Sequence, residues 1–161
     1  MWADTVALGK QVGTPVVRIA TNLQDETERC VPWIRAFGAV TIGAGLVLGR
    51  QFRRLVLAPG VATGDPTPLG NHADVDPLWS TSATEVEFSD PYRDRMGRVE
   101  ALVRHPDVAR HLRVCWEEDV VGNCGRCHKC VLTMSTLQSY GATGIAESAF
   151  GRRATPELVR A

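Results

Sequence analysis

The sequence has no net charge, no long apolar run and no signal-peptide pattern in its first residues, and each absence argues against a class of function. Eighteen basic residues balance eighteen acidic ones, so the chain as a whole has no electrostatic attraction for nucleic acid or an anionic membrane. The longest apolar run, residues 38–49, contains four glycines and is too short to span about 30 Å of hydrocarbon. No basic segment followed by an apolar one opens the chain, so we expect no signal peptide and a cytoplasmic protein.

Apolar segments alternate with helical patterns over the first half of the chain. Helices are predicted at residues 2–13 and 32–50, and continuous apolar strands at 16–20 and 53–58. This alternation is typical of βαβ units with a parallel sheet. A third strand is predicted at 85–88, and further helices at the ranges 90–104, 106–112 and 130–140 and from residue 155. The fold class is therefore α/β, with a partial parallel sheet flanked by helices.

Between these strands, residues 60–82 form a long segment rich in Gly, Pro, Asp, Thr and Ser. A loop of this length inside a compact domain is usually functional or disordered. Polar residues cluster in it, and ordinary turn and capping chemistry is the alternative to a functional role. If a partner completes the protein, the residues of this loop expected to line a substrate or nucleotide pocket are Gly70, Asn71, His72 and Asp76.

Four of the five cysteines occur in one short stretch with the pattern C-x8-C-x2-C-x2-C, at Cys115, Cys124, Cys127 and Cys130. Two residues between cysteines is the separation at which a tight turn brings both sulfurs to one tetrahedral ion. Cys115 is predicted at the end of a strand and Cys130 at the start of a helix. The pattern predicts a structural zinc site, because four thiolates leave no open position for a catalytic water.

Other interpretations of the cysteines remain open. An iron–sulfur cluster is the main alternative, because C-x2-C-x2-C also occurs in ferredoxins. A redox dithiol and uncoordinated core cysteines are further alternatives. Basic side chains near the cluster suggest a different function, a non-catalytic interaction or nucleic-acid-binding module. Zero net charge and interspersed acidic residues favour an ordinary solvated surface over a patch that binds a phosphate or a nucleic-acid backbone. The basic residues are Arg104, Arg110, Arg113, Arg126 and Lys129, with His105, His111 and His128 beside them.

The motif Cys124-Gly-Arg-Cys127-His-Lys-Cys130, with Cys115 before it, resembles the C-terminal zinc module of 7-cyano-7-deazaguanine synthases. Those enzymes belong to the PP-loop ATP pyrophosphatase superfamily. The stretch at residues 68–80 is also similar to the corresponding region of uncharacterised relatives. The resemblance implies an adenine-nucleotide α-hydrolase-like fold, structural zinc, and ATP-dependent adenylation of a carboxylate followed by attack of an amine.

The nucleotide loop of that superfamily, Ser-Gly-Gly-x-Asp-Ser, does not occur in this sequence. Its backbone N–H groups would hold the pyrophosphate at a helix N-terminus. We therefore expect ATP to bind only if a missing N-terminal segment, a partner or a second subunit supplies the loop and completes the sheet. The expected organisation is a partial α/β region at 1–111, a four-cysteine zinc module with its helix at 112–141, and a tail at 142–161.

Overall fold

A computed structural model describes residues 2–58, 60, 63–64, 67, 69–115, 117 and 120–160. The chain folds into two compact units. The sheet unit comprises residues 18–95, and the cysteine unit comprises residues 1–17 together with 96–161. This division differs from the one expected at residues 111 and 141, because the first helix belongs to the same unit as the cysteine segment. Pro68, in the stretch that resembles the superfamily, lies outside the described residues.

The sheet unit contains two helices, two strands and a short 3₁₀ helix, in the order α2 (Leu23–Glu28), α3 (Trp33–Leu46), β1 (Arg54–Leu57), the 3₁₀ helix (Asp76–Trp79) and β2 (Glu85–Phe88). The two strands pair in parallel, with Arg54 opposite Glu85 and Leu57 opposite Phe88. The small core of the unit consists of Ile42, Leu57 and Val86. The predicted α/β class with a partial parallel sheet is thereby confirmed at this level.

Helix α3 packs closely because glycines occupy its contact positions. A Cβ atom on Gly38 would lie 2.0 Å from the carbonyl oxygen of Gly70, and one on Gly45 would lie 2.8 Å from the Leu55 side chain. Two backbone hydrogen bonds of 2.8 Å join α3 to the loop that follows β1. Gly38 donates to the Gly70 oxygen, and Gly70 donates to the Ile34 oxygen. The loop is therefore anchored to the helix by its backbone.

The cysteine unit is helical over its described residues, with α1 (Trp2–Gln11), α4 (Arg95–Val103), α5 (Pro106–Ala109), α6 (His128–Ser139), α7 (Thr143–Phe150) and α8 (Pro156–Arg160). Its core surrounds α6, which supplies three fully buried apolar side chains, Cys130, Met134 and Leu137. Val99 of α4 and Phe150 of α7 complete the contacts. Two of the four predicted metal ligands, Cys115 and Cys130, belong to this core.

Three features of the fold differ from the sequence-based expectations. Residues 16–20 form no strand, since they pair with no described strand, and Val17 and Ile19 are 73% and 50% exposed. Their apolar composition predicted burial, but composition alone supplies no neighbouring strand. The charged residues after Asn22 form the separate helix α2 rather than the opening of α3. Helix α7 was not predicted. None of the helices formed by the described residues combines the length and hydropathy needed to cross a bilayer.

Candidate metal centre

Cys115, the first cysteine of the cluster, lies in an extended segment that follows α5. Its backbone N–H donates to Oδ1 of Asn123 at 3.2 Å, and the N–H of Val114 donates to the same oxygen at 2.9 Å. The strand end predicted here is wrong, because residues 112–115 pair with no described strand. Oδ1 of Asn123 accepts the hydrogen bonds that these N–H groups would donate to a neighbouring strand.

Asn123 holds together three parts of the chain around the cluster. Besides accepting the two N–H groups before and at Cys115, its Nδ2 donates to the carbonyl oxygens of Leu112 at 2.8 Å and Ala149 at 2.9 Å. These four bonds use both donor hydrogens and both acceptor sites of the amide. This role of Asn123 is not predicted by the sequence. The one local signal is the position of Asn123, immediately before Cys124.

The next two cysteines are joined by a tight turn. The backbone N–H groups of Arg126 and Cys127 donate to Sγ of Cys124 at 3.5 and 3.3 Å. Gly125 makes the turn possible with a φ angle of 67°, in the left-handed region that glycine adopts without steric cost. A Cβ atom there would also lie 2.9 Å from the Arg152 side chain. The two-residue spacing therefore folds as predicted, with N–H groups directed at the sulfur.

Cys127 precedes α6 as its N-terminal cap residue, and Cys130 lies in the first turn of the helix. The Cys130 side chain is fully buried against the core, whereas Cys124 and Cys127 are half-buried. The thiolate of a cysteine at a helix N-terminus is favoured by the helix dipole. The predicted start of this helix at residue 130 is therefore two residues late.

The four sulfurs converge on one point. Sγ atoms of Cys115, Cys124, Cys127 and Cys130 all lie within 4.8 Å of one another. Sγ of Cys115 is 4.0 Å from that of Cys127, and Sγ of Cys124 is 3.8 Å from that of Cys130. None of these cysteines is in a disulfide. This arrangement can hold a metal ion, with His128 exposed and outside the cluster.

The thiols influence one another electrostatically. Burial raises the pKa of Cys124, but the N–H groups of Arg126 and Cys127 and the neighbouring thiols outweigh it and lower this pKa to about 6. Burial also raises the pKa of Cys130, and its contacts with Cys127 and Cys124 raise it further. In the absence of a cation, negative charge thus concentrates on Cys124. A bound cation would favour the thiolate form of every ligand.

The four candidate substrate-binding residues lie together in the loop before and at the start of the 3₁₀ helix. Gly70 is occupied by its backbone bonds to α3, and Oδ1 of the buried Asn71 accepts the N–H of Gly60 at 2.7 Å. Nδ1 of His72 accepts the N–H of Asp74 at 3.2 Å. The Asp76 carboxyl is 3% exposed, and its Oδ2 has no partner in the described part of the chain. Local hydrogen bonds and packing explain the positions of Gly70, Asn71 and His72. A role of these residues and of Asp76 in binding a substrate stays a prediction.

The basic side chains around the cluster do not share one environment. Arg104 forms an exposed ion pair with Glu100 on α4 at 3.0 Å. Arg110 and Arg113 line a cavity in the cysteine unit instead. Arg126 lies on the exposed side of the turn between Cys124 and Cys127.

The fold and this centre define the class of the molecule, an α/β protein with a two-stranded parallel sheet and a four-cysteine cluster that can hold a metal ion. No protein-family model, no curated protein and no solved structure matches the chain. Any particular function must therefore be argued from the site.

Proposed function

We propose that the four cysteines bind one zinc ion, which serves as a structural brace of the cysteine unit. The observation that carries this proposal is the spacing of the sulfurs. Zinc–sulfur bonds of about 2.3 Å at tetrahedral angles separate the sulfurs by about 3.8 Å. The two measured separations of 3.8 and 4.0 Å agree with that value.

The same spacing argues against the other interpretations of the cysteines. In a four-iron cluster each cysteine binds a different iron, and in a two-iron cluster the cysteines bind in pairs to two irons. Neither arrangement brings four sulfurs around one point, whereas here all four lie within 4.8 Å of one another. A redox dithiol needs two cysteines and gives no reason for four to converge. Four thiolate ligands also complete a tetrahedron, so the ion would hold chain segments together and offer no site to a substrate.

We further propose that this chain is the zinc-containing portion of a PP-loop ATP pyrophosphatase-like protein similar to 7-cyano-7-deazaguanine synthase. Support comes from the motif Cys124-Gly-Arg-Cys127-His-Lys-Cys130 and from the parallel pairing of β1 and β2. Because the 161 residues contain no Ser-Gly-Gly-x-Asp-Ser loop, a missing N-terminal segment or a second polypeptide would have to supply it for ATP to bind. The loop at residues 70–76 would then face the substrate.

Elemental analysis of protein purified without added metal tests the zinc proposal. We expect about one zinc per chain, and loss of that zinc in Cys115→Ser and in Cys127→Ser. The matched control is Cys30→Ser, since Cys30 is exposed and lies outside the cluster, and it should retain zinc. Iron in place of zinc, or zinc retained in both ligand variants, would contradict the proposal.

An ATP–pyrophosphate exchange assay tests the family proposal separately. The chain alone should show no exchange, and exchange should appear when a polypeptide carrying the Ser-Gly-Gly-x-Asp-Ser loop and binding this chain is added. Asp76→Ala should reduce the exchange of the complex while zinc content stays at one per chain. Exchange by the isolated chain, or equal exchange by the Asp76→Ala complex, would count against it.

A further inference from the structure

A cavity of about 510 Å³ lies within the cysteine unit, beside the loop that leads into Cys124. Its walls come from α1, from the segment after α5, from Gly122 and Asn123, and from the end of α7. The volume is within the range of roughly 300–1,000 Å³ that small-molecule sites occupy. The cavity is distinct from the four-cysteine cluster, and binding of a metal by the cysteines does not involve it.

One side of the cavity is basic. Arg110, His111 and Arg113 line it. Both guanidinium groups are positioned by uncharged partners. Arg110 donates to Oε1 of Gln11 at 2.6 Å and to Nε2 of His111 at 3.3 Å, and Arg113 donates to the carbonyl oxygen of Val120 at 3.5 Å.

Neither Arg110 nor Arg113 takes part in an ion pair among the described residues, in contrast to Arg104 and its partner Glu100. Each keeps N–H groups free of these bonds, because a guanidinium has five. Two cations that form no ion pair with a carboxylate of the described residues are suited to an oxyanion, and arginine binds phosphate in a two-pronged geometry.

The rest of the lining limits what the oxyanion can be attached to. Leu8, Leu112 and Phe150 provide an apolar wall. Asp4 also borders the cavity, so the described residues of the lining carry two guanidinium groups and one carboxylate. A dianion with an apolar group attached matches this lining better than a free inorganic ion, which would leave the wall uncovered.

We propose that this cavity binds a small organic phosphate monoester. The phosphate contacts Arg110 and Arg113, and the apolar or aromatic part of the molecule packs on Leu8, Leu112 and Phe150. The site does not depend on which metal the cysteines hold. Because Gly122 and Asn123 form part of its wall, the site is to be tested in the metal-containing protein.

Calorimetric titration with phenyl phosphate tests the proposal, with inorganic phosphate and phenol as comparison ligands. We expect saturable one-to-one binding of phenyl phosphate, binding of inorganic phosphate at least about tenfold weaker, and none of phenol. Arg110→Gln and Arg113→Gln should each weaken binding by about tenfold or more, because a hydrogen bond to a charged group is lost. Arg104→Gln, a change outside the cavity, should leave the affinity unchanged.

Metal content measured on each variant separates this site from the zinc proposal, since both arginine variants should keep their metal. Leu8→Glu, which places a negative charge in the apolar wall, should also abolish phenyl phosphate binding. Absence of saturable binding, or equal affinity for phenyl phosphate and inorganic phosphate, would overturn the proposal. So would salt-dependent binding of single-stranded RNA through these arginines without phenyl phosphate binding.

Discussion

Asn123 accepts the backbone N–H of Cys115 at 3.2 Å, so a side chain next to one cysteine of the cluster positions another cysteine that lies eight residues away. The same amide reaches the last turn of α7 through the carbonyl oxygen of Ala149. One residue consequently joins the loop that leads into Cys124, the segment that contains Cys115, and α7. The geometry of the cysteine cluster therefore depends on Asn123 as well as on the cysteines.

Replacing Asn123 with alanine should destabilise the protein and weaken metal binding together. Four hydrogen bonds are lost and partly buried backbone groups are left unsatisfied, at a cost of about 2–4 kcal/mol in the free energy of unfolding. Residues that orient metal ligands typically change metal affinity by about 10–100-fold. Urea unfolding and competition with a zinc chelator measure the two effects.

Two variants provide the comparison for Asn123→Ala. Asn123→Asp keeps the acceptor for Val114 and Cys115 but loses both donors, so its effects should be intermediate. Asn22→Ala removes one exposed side-chain bond to Glu26 and should change stability by less than about 0.5 kcal/mol. Equal metal affinity in Asn123→Ala and the wild type would show that Cys115 is positioned without Asn123.

The lowered pKa of Cys124 predicts how the metal-free protein responds to pH. Folding shifts this pKa from 9.0 to about 6, so the thiolate is favoured in the folded state. Its contribution to stability is fully present above pH 9 and is lost as the pH falls through about 6. Unfolding free energy, measured in urea with a chelator present, should therefore rise between pH 6 and pH 9.

Cys124→Ser should flatten that rise, because the group that titrates in this interval is removed. Cys30→Ser, a change at an exposed thiol outside the cluster, should leave the profile parallel to that of the wild type. A wild-type profile that stays flat from pH 6 to pH 9 would contradict the assignment of the lowered pKa to Cys124.

Local sequence patterns predicted the parts of the structure that depend on neighbouring residues. The two-residue spacings bring the cysteines together because a turn of that length closes on one ion, and the apolar segments of β1 and β2 form strands within one or two residues of the predicted bounds. The strand predicted at residues 16–20 failed because a strand requires a distant partner that composition does not reveal.

The other features that the sequence did not predict depend on contacts between residues that lie far apart in the chain. The bond from Asn123 to Ala149 joins positions 26 residues apart, and no spacing rule indicates it. Helix α7 was not predicted because Gly144 and Ser148 interrupt its apolar pattern. Its apolar residues Ala146 and Phe150 are buried in the core of the cysteine unit, which includes Met134 and Leu137 of α6. The cavity beside the loop that leads into Cys124 depends on the packing of α7 too, because the end of α7 forms part of its wall.

The contact between Gly38 and Gly70 predicts a large effect of small substitutions in the sheet unit. A Cβ atom on Gly38 would lie 2.0 Å from the Gly70 oxygen, and one on Gly70 would lie 2.3 Å from the Arg35 carbonyl carbon. Backbone atoms cannot move aside easily, so Gly38→Ala and Gly70→Ala should each lower the free energy of unfolding by about 2 kcal/mol or more.

Gly43→Ala is the matched control for these two variants. Gly43 lies in the same helix, α3, and a Cβ atom there meets nothing within 4 Å. Alanine is the better helix former by about 1 kcal/mol, so this variant should be as stable as the wild type or more stable. Thermal unfolding of the three variants measures the order, and equal destabilisation of all three would show that close packing at Gly38 is not the cause.

Asp76 is expected to make the protein less stable at neutral pH than an uncharged residue would. Burial raises the pKa of its carboxyl above the ordinary value of 3.8, although the N–H and the charge of His72 oppose this shift. A raised pKa means that the folded state holds the proton more tightly. The stabilisation is fully present below about pH 3.8 and is lost as the pH rises through the folded-state pKa.

Asp76→Asn should consequently be more stable than the wild type at pH 7, by on the order of 1 kcal/mol, and the difference should shrink toward pH 3. The asparagine oxygen can still accept the N–H of His72, and the charge that burial penalises is gone. Asp25→Asn, at an exposed position of α2, should change stability by less than about 0.5 kcal/mol at both pH values. Urea unfolding at pH 3, 5 and 7 gives the comparison. An Asp76→Asn variant less stable than the wild type at pH 7 would mean that the ionised carboxylate has a stabilising partner, and Asp76 would then be a poor candidate for binding a substrate.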